Sequence, residues 1–170
     1  MAPDKLETEI IKKLQRIEQK GKHLPDTYMV WTETILTGLA KLGRKHGYHV
    51  YTSKYKPKGY IDAGEWLYDL TWLQYDRHGY IKAMPLVLES ELGPDSKDLI
   101  DDFCKLIVAR ADHRVMIFGA NNKANAEEKI TELIAELDHS GLSRNGDRYL
   151  FAGLLENNGT FLFQVYKISR

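Results

Sequence analysis

Three acidic residues, Asp69, Glu89 and Glu91, have the types and spacing needed to hold a divalent cation. Glu89 and Glu91 lie two apart, directly after the apolar run Leu86-Val87-Leu88. Side chains two apart in a strand leave the same face, so the two carboxylates project together. Two like charges at the end of a buried strand raise each other's pKa and resist desolvation, a cost that a bound cation removes. Ligands that are all oxygen select Mg²⁺ or Mn²⁺ over zinc. Such ions serve phosphoryl chemistry, polarising a phosphate and lowering the pKa of an attacking water. The plain alternative is that Asp69 ends a turn and both glutamates are solvated at a strand end.

Whether Asp69 joins the pair is a question of strand parity. Glu65 to Tyr75 is rich in aromatic and β-branched residues and reads as a strand, and Tyr80 to Glu91 reads as its partner across Asp76-Arg77-His78-Gly79. With Arg77, His78 and Gly79 as a three-residue loop, position 80 pairs with 76 and residue 89 falls opposite 67. Asp69 then lies on the same face as Glu89 as its diagonal neighbour, about 7–8 Å away. A two-residue loop would place them on opposite faces, but Gly79 favours the longer form. Pro85 predicts a bend or bulge that shifts the register again.

The remaining elements follow from periodicity and punctuation. Asp4 and Glu7 form a capping box, and Leu6, Ile10, Leu14 and Ile17 repeat at helical spacing to about Lys20. After Gly21 and Pro25, Asp26 is placed to cap a second helix whose face carries Tyr28, Trp31, Ile35, Leu39 and Leu42. Tyr48 to Tyr51 is a short strand, and 55–60 reads as loop. Ser96 is placed to cap a helix to about Arg110, with the wholly apolar strand Val115 to Phe118 after it. The run from Leu86 through that helix to Val115 is a parallel βαβ crossover. Asn125 to Asp138 is a further amphipathic helix, and Asn157-Asn158-Gly159 joins Tyr149–Leu155 to Thr160–Ile168 in a hairpin. The fold class is α/β with a mixed central sheet flanked by helices, plus the C-terminal hairpin, in one domain over 1–170.

At 170 residues and 43% hydrophobic the chain suits one sizeable core, and 28% charged residues do not oppose folding. No apolar run is long enough to span a bilayer, and the first residues do not read as a signal peptide. A single cysteine, Cys104, excludes an internal disulfide and fits beside Phe103 in the core; the expected compartment is the cytoplasm. Basic and acidic side chains balance at 24 each, which is not the profile of a protein held on DNA by bulk charge. The distribution is uneven. From Thr34 to Ile61 there is no acidic residue, while Lys41, Arg44, Lys45, Lys54, Lys56 and Lys58 fall inside, so this stretch is either a phosphate-binding surface or a solvated basic face. The histidines lack zinc spacing, and no P-loop, dinucleotide glycine pattern or nucleophile elbow occurs.

The stretch Gly64-Glu65-Trp66-Leu67-Tyr68-Asp69-Leu70-Thr71-Trp72-Leu73, then Leu86-Val87-Leu88-Glu89-Ser90-Glu91, then a helix and Val115-Met116-Ile117-Phe118, resembles the PD-(D/E)XK, restriction-endonuclease-like nuclease superfamily. There an acidic residue on one strand is followed about twenty residues later by a second one ending an apolar strand, usually with lysine at the next-but-one position. The likeness covers roughly 26–119, leaving 124–168 as an extension that extends the sheet, forms a homodimer face or holds substrate. It implies that Asp69, Glu89 and the Ser90 carbonyl bind Mg²⁺ or Mn²⁺, with Glu33 from the family's first helix as a further ligand. Glu91 stands where the family has lysine, and some members carry glutamate there as base or ligand. Others supply the lysine from the following helix, an arrangement that Asp102-Phe103-Cys104-Lys105-Leu106 resembles, making Lys105 the group that stabilises hydroxide or phosphate. Helical spacing alone points Lys105 away from the stripe of Leu99, Phe103 and Leu106, so a solvated lysine stays open. The expected activity is hydrolysis of phosphodiester bonds in DNA, or alternatively RNA. The competing readings are a catalytically inactive domain of the same fold that binds nucleic acid or protein, and an unrelated α/β protein with ordinary surface carboxylates.

Overall fold

The computed structural model describes residues 1–21, 27–52, 66–93 and 96–169. Lys54, Lys56 and Lys58, the loop at 55–60, and the caps expected from the side chains of Asp26 and Ser96 lie outside them. Four helices and six strands follow in the order α1 (Lys5–Gly21), α2 (Tyr28–Lys45), β1 (His49–Tyr51), β2 (Leu70–Tyr75), β3 (Ile81–Glu91), α3 (Ser96–Val108), β4 (His113–Ala120), α4 (Lys123–His139), β5 (Arg148–Leu155) and β6 (Thr160–Lys167). All six strands share one sheet in the order β1-β2-β3-β4-β5-β6. Its pairs are antiparallel except β3–β4 and β4–β5, which are parallel. The sheet is mixed and the class is α/β. The crossover through α3 is parallel as expected, and the C-terminal hairpin extends the sheet through a second parallel pairing.

Period-two alternation divides the apolar residues between two cores. Leu70, Trp72, Leu86, Leu88, Val115 and Ile117 face α1 and α2, where Ile10, Leu14, Ile35 and Leu39 cover them. Val87, Met116, Phe118 and Phe151 face α3 and α4, under Phe103, Leu106, Ile130 and Leu133. The middle of β3 and of β4 is therefore buried on both sides, which is why Leu86–Leu88 and Val115–Phe118 are continuously apolar. The capping box forms, with the Asp4 amide donating to Glu7 at 2.8 Å and the Glu7 amide donating to Asp4 at 3.0 Å.

Several expectations are corrected. Thr27 caps α2, accepting from the Val30 amide. Tyr28 is exposed instead of packed, and its hydroxyl donates to Glu156 at 2.6 Å. Cys104 is exposed, one position round the helix from buried Phe103. Of the strand read from Glu65 to Tyr75, Glu65 lies outside the described residues, and among them β2 begins only at Leu70, after Leu67 takes a left-handed φ of 67° that an extended ladder does not admit.

The chain leaving β3 passes close over β4 at Gly119, where an added β-carbon would collide with the backbone carbonyl of Leu92. Gly119→Ala forces the end of β3 to shift and costs about 1–3 kcal/mol by overpacking. A lowered urea midpoint at unchanged m-value is the expected readout.

Candidate functional site

Asp69 and Glu89 meet where β2 begins and β3 ends. The hairpin closes as a three-residue loop, with the Asp76 amide donating to the Tyr80 carbonyl at 2.9 Å and Gly79 at φ +84°. Tyr75 pairs with Ile81, but Trp72 pairs with Leu86 and Leu70 with Leu88, because register shifts intervene on either side of Gln74. The three steps from Trp72 to Tyr75 on β2 thus lie opposite the five from Leu86 to Ile81 on β3. An offset of two keeps the parity, and the Leu70–Leu88 pairing continues one step to place Asp69 opposite Glu89. The expected diagonal becomes a direct cross-strand pair. The Ser90 amide donates to Asp69 Oδ2 at 2.9 Å, and the Asp69 amide approaches Glu89 Oε2 at 3.4 Å.

Both carboxylates lie on the α3 face, since Glu89 shares its parity with Val87. Glu89 is 2% exposed and Asp69 half-buried. Lys105 reaches this face from α3, its Nζ 3.6 Å from Glu89 Oε1 and 2.6 Å from Asp102 Oδ1. Burial pushes the Glu89 carboxyl up to about 8; the charge of Asp69 adds to the shift and Lys105 opposes it. The hydrogen bond to Asp102 raises the Lys105 ammonium, with Glu89 and Asp69 contributing, so the lysine is held as a cation. Tyr68, buried before Asp69, is raised by burial and by the charge of Glu89.

The donor set fits a hard divalent ion. Glu89 Oε1 is buried with no hydrogen-bond partner among the described residues, a costly state for a carboxylate oxygen. Asp69 Oδ2 is aimed by the Ser90 amide, and all the donors are oxygen. Glu91 shares the strand face with Glu89, but its Oε1 accepts from the Gly93 amide and so shapes the turn out of β3. Glu33 is exposed on α2, the helix covering the opposite face, and no described contact joins it to Asp69 or Glu89. Lys41 and Lys45 are exposed and Arg44 half-buried near the end of that helix.

A second set of carboxylates was not legible as a site. Asp4, Glu7 and His113 have potential ligand atoms within 4.8 Å of one another. Here Arg148 fills the place a cation would take. Its Nε lies 3.0 Å from Glu7 and 3.3 Å from Asp4, its second nitrogen bonds the other Glu7 oxygen, and His113 meets Asp4 at 2.8 Å. Glu7 is 1% exposed, so this bidentate pair satisfies a buried charge and ties α1 to β5, while His113 of β4 holds Asp4 at the start of the helix.

No helix among the described residues is long and apolar enough to cross a membrane. Compared with protein-family models, curated proteins and solved structures, the chain has no match.

Proposed function

We propose that this protein is a divalent-metal-dependent phosphodiesterase acting on nucleic acid, DNA foremost, with a restriction-endonuclease-like core running from α2 to β4. The observation that carries the reading is the meeting of Asp69, Glu89 and Lys105 on one sheet face, with a lysine from the next helix 3.6 Å from the second carboxylate. The succession of acidic residue, apolar strand ending in glutamate, helix with lysine and further strand supports the same core.

Asp69, Glu89 and the Ser90 carbonyl would hold Mg²⁺ or Mn²⁺. When bound, the ion supplies Lewis-acid polarisation of a phosphate and a more acidic water. The chain's own residues do the rest. The Ser90 amide fixes the orientation of Asp69, and burial of Glu89 keeps one donor oxygen dry. Lys105, charged and anchored by Asp102, offers its ammonium to the negative charge that grows on the phosphoryl oxygens. Lys41, Arg44 and Lys45 contact phosphate away from the cleaved bond.

The second reading is a domain of the same shape without catalysis, and Lys105 itself favours it. Its ammonium, together with a proton on Glu89, neutralises the pair without any metal. Incubation with mixed DNA and RNA in Mg²⁺ or Mn²⁺ separates the two. Cleavage that needs the ion and drops by at least about 10²-fold in Asp69→Asn supports the enzyme. Uncut substrates with well-folded protein leave the binding module.

A further inference from the structure

Although the chain as a whole is neutral, its charge is not evenly spread. Between α1 and α2 lies a groove of about 430 Å³ whose walls carry Lys12, Lys13 and Arg16 from one helix and Lys41 and Lys45 from the other. Among the described residues its one carboxylate, Glu9, is engaged by His46 at 2.8 Å. Gly38 allows the helices to close over Lys13, whose Cε would lie 3.1 Å from a β-carbon at that position. Lys13 is thereby half-buried along the groove, while Lys12 and Arg16 beside it are exposed. Burial lowers its affinity for the proton, and Lys41, Lys20 and Arg16 lower it further. Crowded like charges of this kind are relieved by an anion.

The arrangement is linear. Lys12 and Arg16 are one helical turn apart, as are Lys41 and Lys45, so each wall repeats its charge at about 5–6 Å. Two such rows match a polymeric anion better than one compact ion. The surface is recessed, and among the described residues none of the exposed large hydrophobics lines it, which does not suit insertion into a flat bilayer surface. α1 and α2 cover the sheet face opposite the one that carries Asp69 and Glu89.

We propose that the α1–α2 groove binds the phosphate backbone of a nucleic acid, as a contact separate from the carboxylate site. The choice of nucleic acid as the polyanion rests on the phosphodiesterase reading; the charge complementarity does not. A strand engaging both places passes around the sheet, and one helix layer alone is about 10 Å thick. Strands of about 6 nucleotides, at roughly 3.4 Å each, fill one place but not both.

The test is binding of labelled DNA of about 6 and about 30 nucleotides to the full chain in EDTA, read by fluorescence anisotropy across salt concentration. Two double variants are compared, Lys13→Gln with Lys41→Gln and Lys12→Gln with Lys45→Gln, each checked by thermal melting. Removing two cations should weaken binding of the longer DNA about 10-fold and reduce the log–log salt slope by about 1.5–2. The same losses should appear when the groove variants are made on an Asp69→Asn background. Affinity and slope unaltered in both folded variants overturn the groove, whatever the cleavage assay gives. Groove-dependent binding by a protein that cuts nothing upholds the groove and removes the phosphodiesterase reading. Groove-dependent binding to phosphatidylserine vesicles without binding to DNA also overturns the proposal.

Discussion

Glu89→Gln is expected to stabilise the metal-free protein at pH 8 and to abolish cleavage. Glu89 is 2% exposed, and its carboxyl is pushed up to about 8 by burial and then by Asp69. Below the ordinary carboxylate range, folded and unfolded chains both carry the proton and stability is unaffected. Between that range and about 8 only the folded chain retains it, so stability falls as pH rises. Above about 8 both states are ionised and the loss is complete. Glutamine removes the ionisation while keeping the shape, a gain on the order of 2–4 kcal/mol at pH 8. For a chain of this size that raises Tm by roughly 5–10 °C. Mn²⁺ should stabilise the native protein more strongly as pH rises and leave the glutamine variant almost unmoved. Thermal melts at pH 5 and pH 8, with and without Mn²⁺, check both halves. A variant less stable than the native protein at pH 8 would show that Glu89 is not a strained carboxylate.

Lys105→Met should separate metal binding from turnover. The lysine lies 3.6 Å from Glu89 Oε1 and competes there with any bound cation. Its loss therefore leaves Mn²⁺ affinity equal or modestly tighter. The same loss removes the positive charge facing the phosphate, and cleavage should fall about 10²–10³-fold. Calorimetric Mn²⁺ titration and single-turnover cleavage together decide the point. A variant that cleaves within about twofold of the native rate would make Lys105 an exposed ion pair with Asp102, a contact worth well under 1 kcal/mol.

The cross-strand carboxylates were legible because strand geometry carries parity over a distance. Gly79 pointed to the loop length, and the register shifts beyond it preserved the face while moving Asp69 from the diagonal to directly opposite Glu89. Pro85 announced an irregularity without disclosing its size. Lys105 was placed by resemblance and not by periodicity, since a helical wheel gives the angle of a Cα and a lysine stem reaches well past it. Asp102 stood in the stretch that carries that resemblance without a role of its own; its hold on Lys105 is an i,i+3 pair that sequence spacing could have supplied. The Glu7–Arg148 pair joins residues 141 apart, and no local signal predicts it. The groove cations of α1 were hidden for a related reason. Lys12, Lys13 and Arg16 read as an ordinary polar helix face until α2 is packed beside them.

The most direct test of the account is a manganese anomalous difference map from crystals soaked in Mn²⁺ above pH 8. The expected result is a peak about 2 Å from oxygens of both Asp69 and Glu89, with Lys105 displaced toward the open side. A well-ordered Asp69 and Glu89 with no manganese between them, or a peak at Asp4, Glu7 and His113 instead, would contradict it.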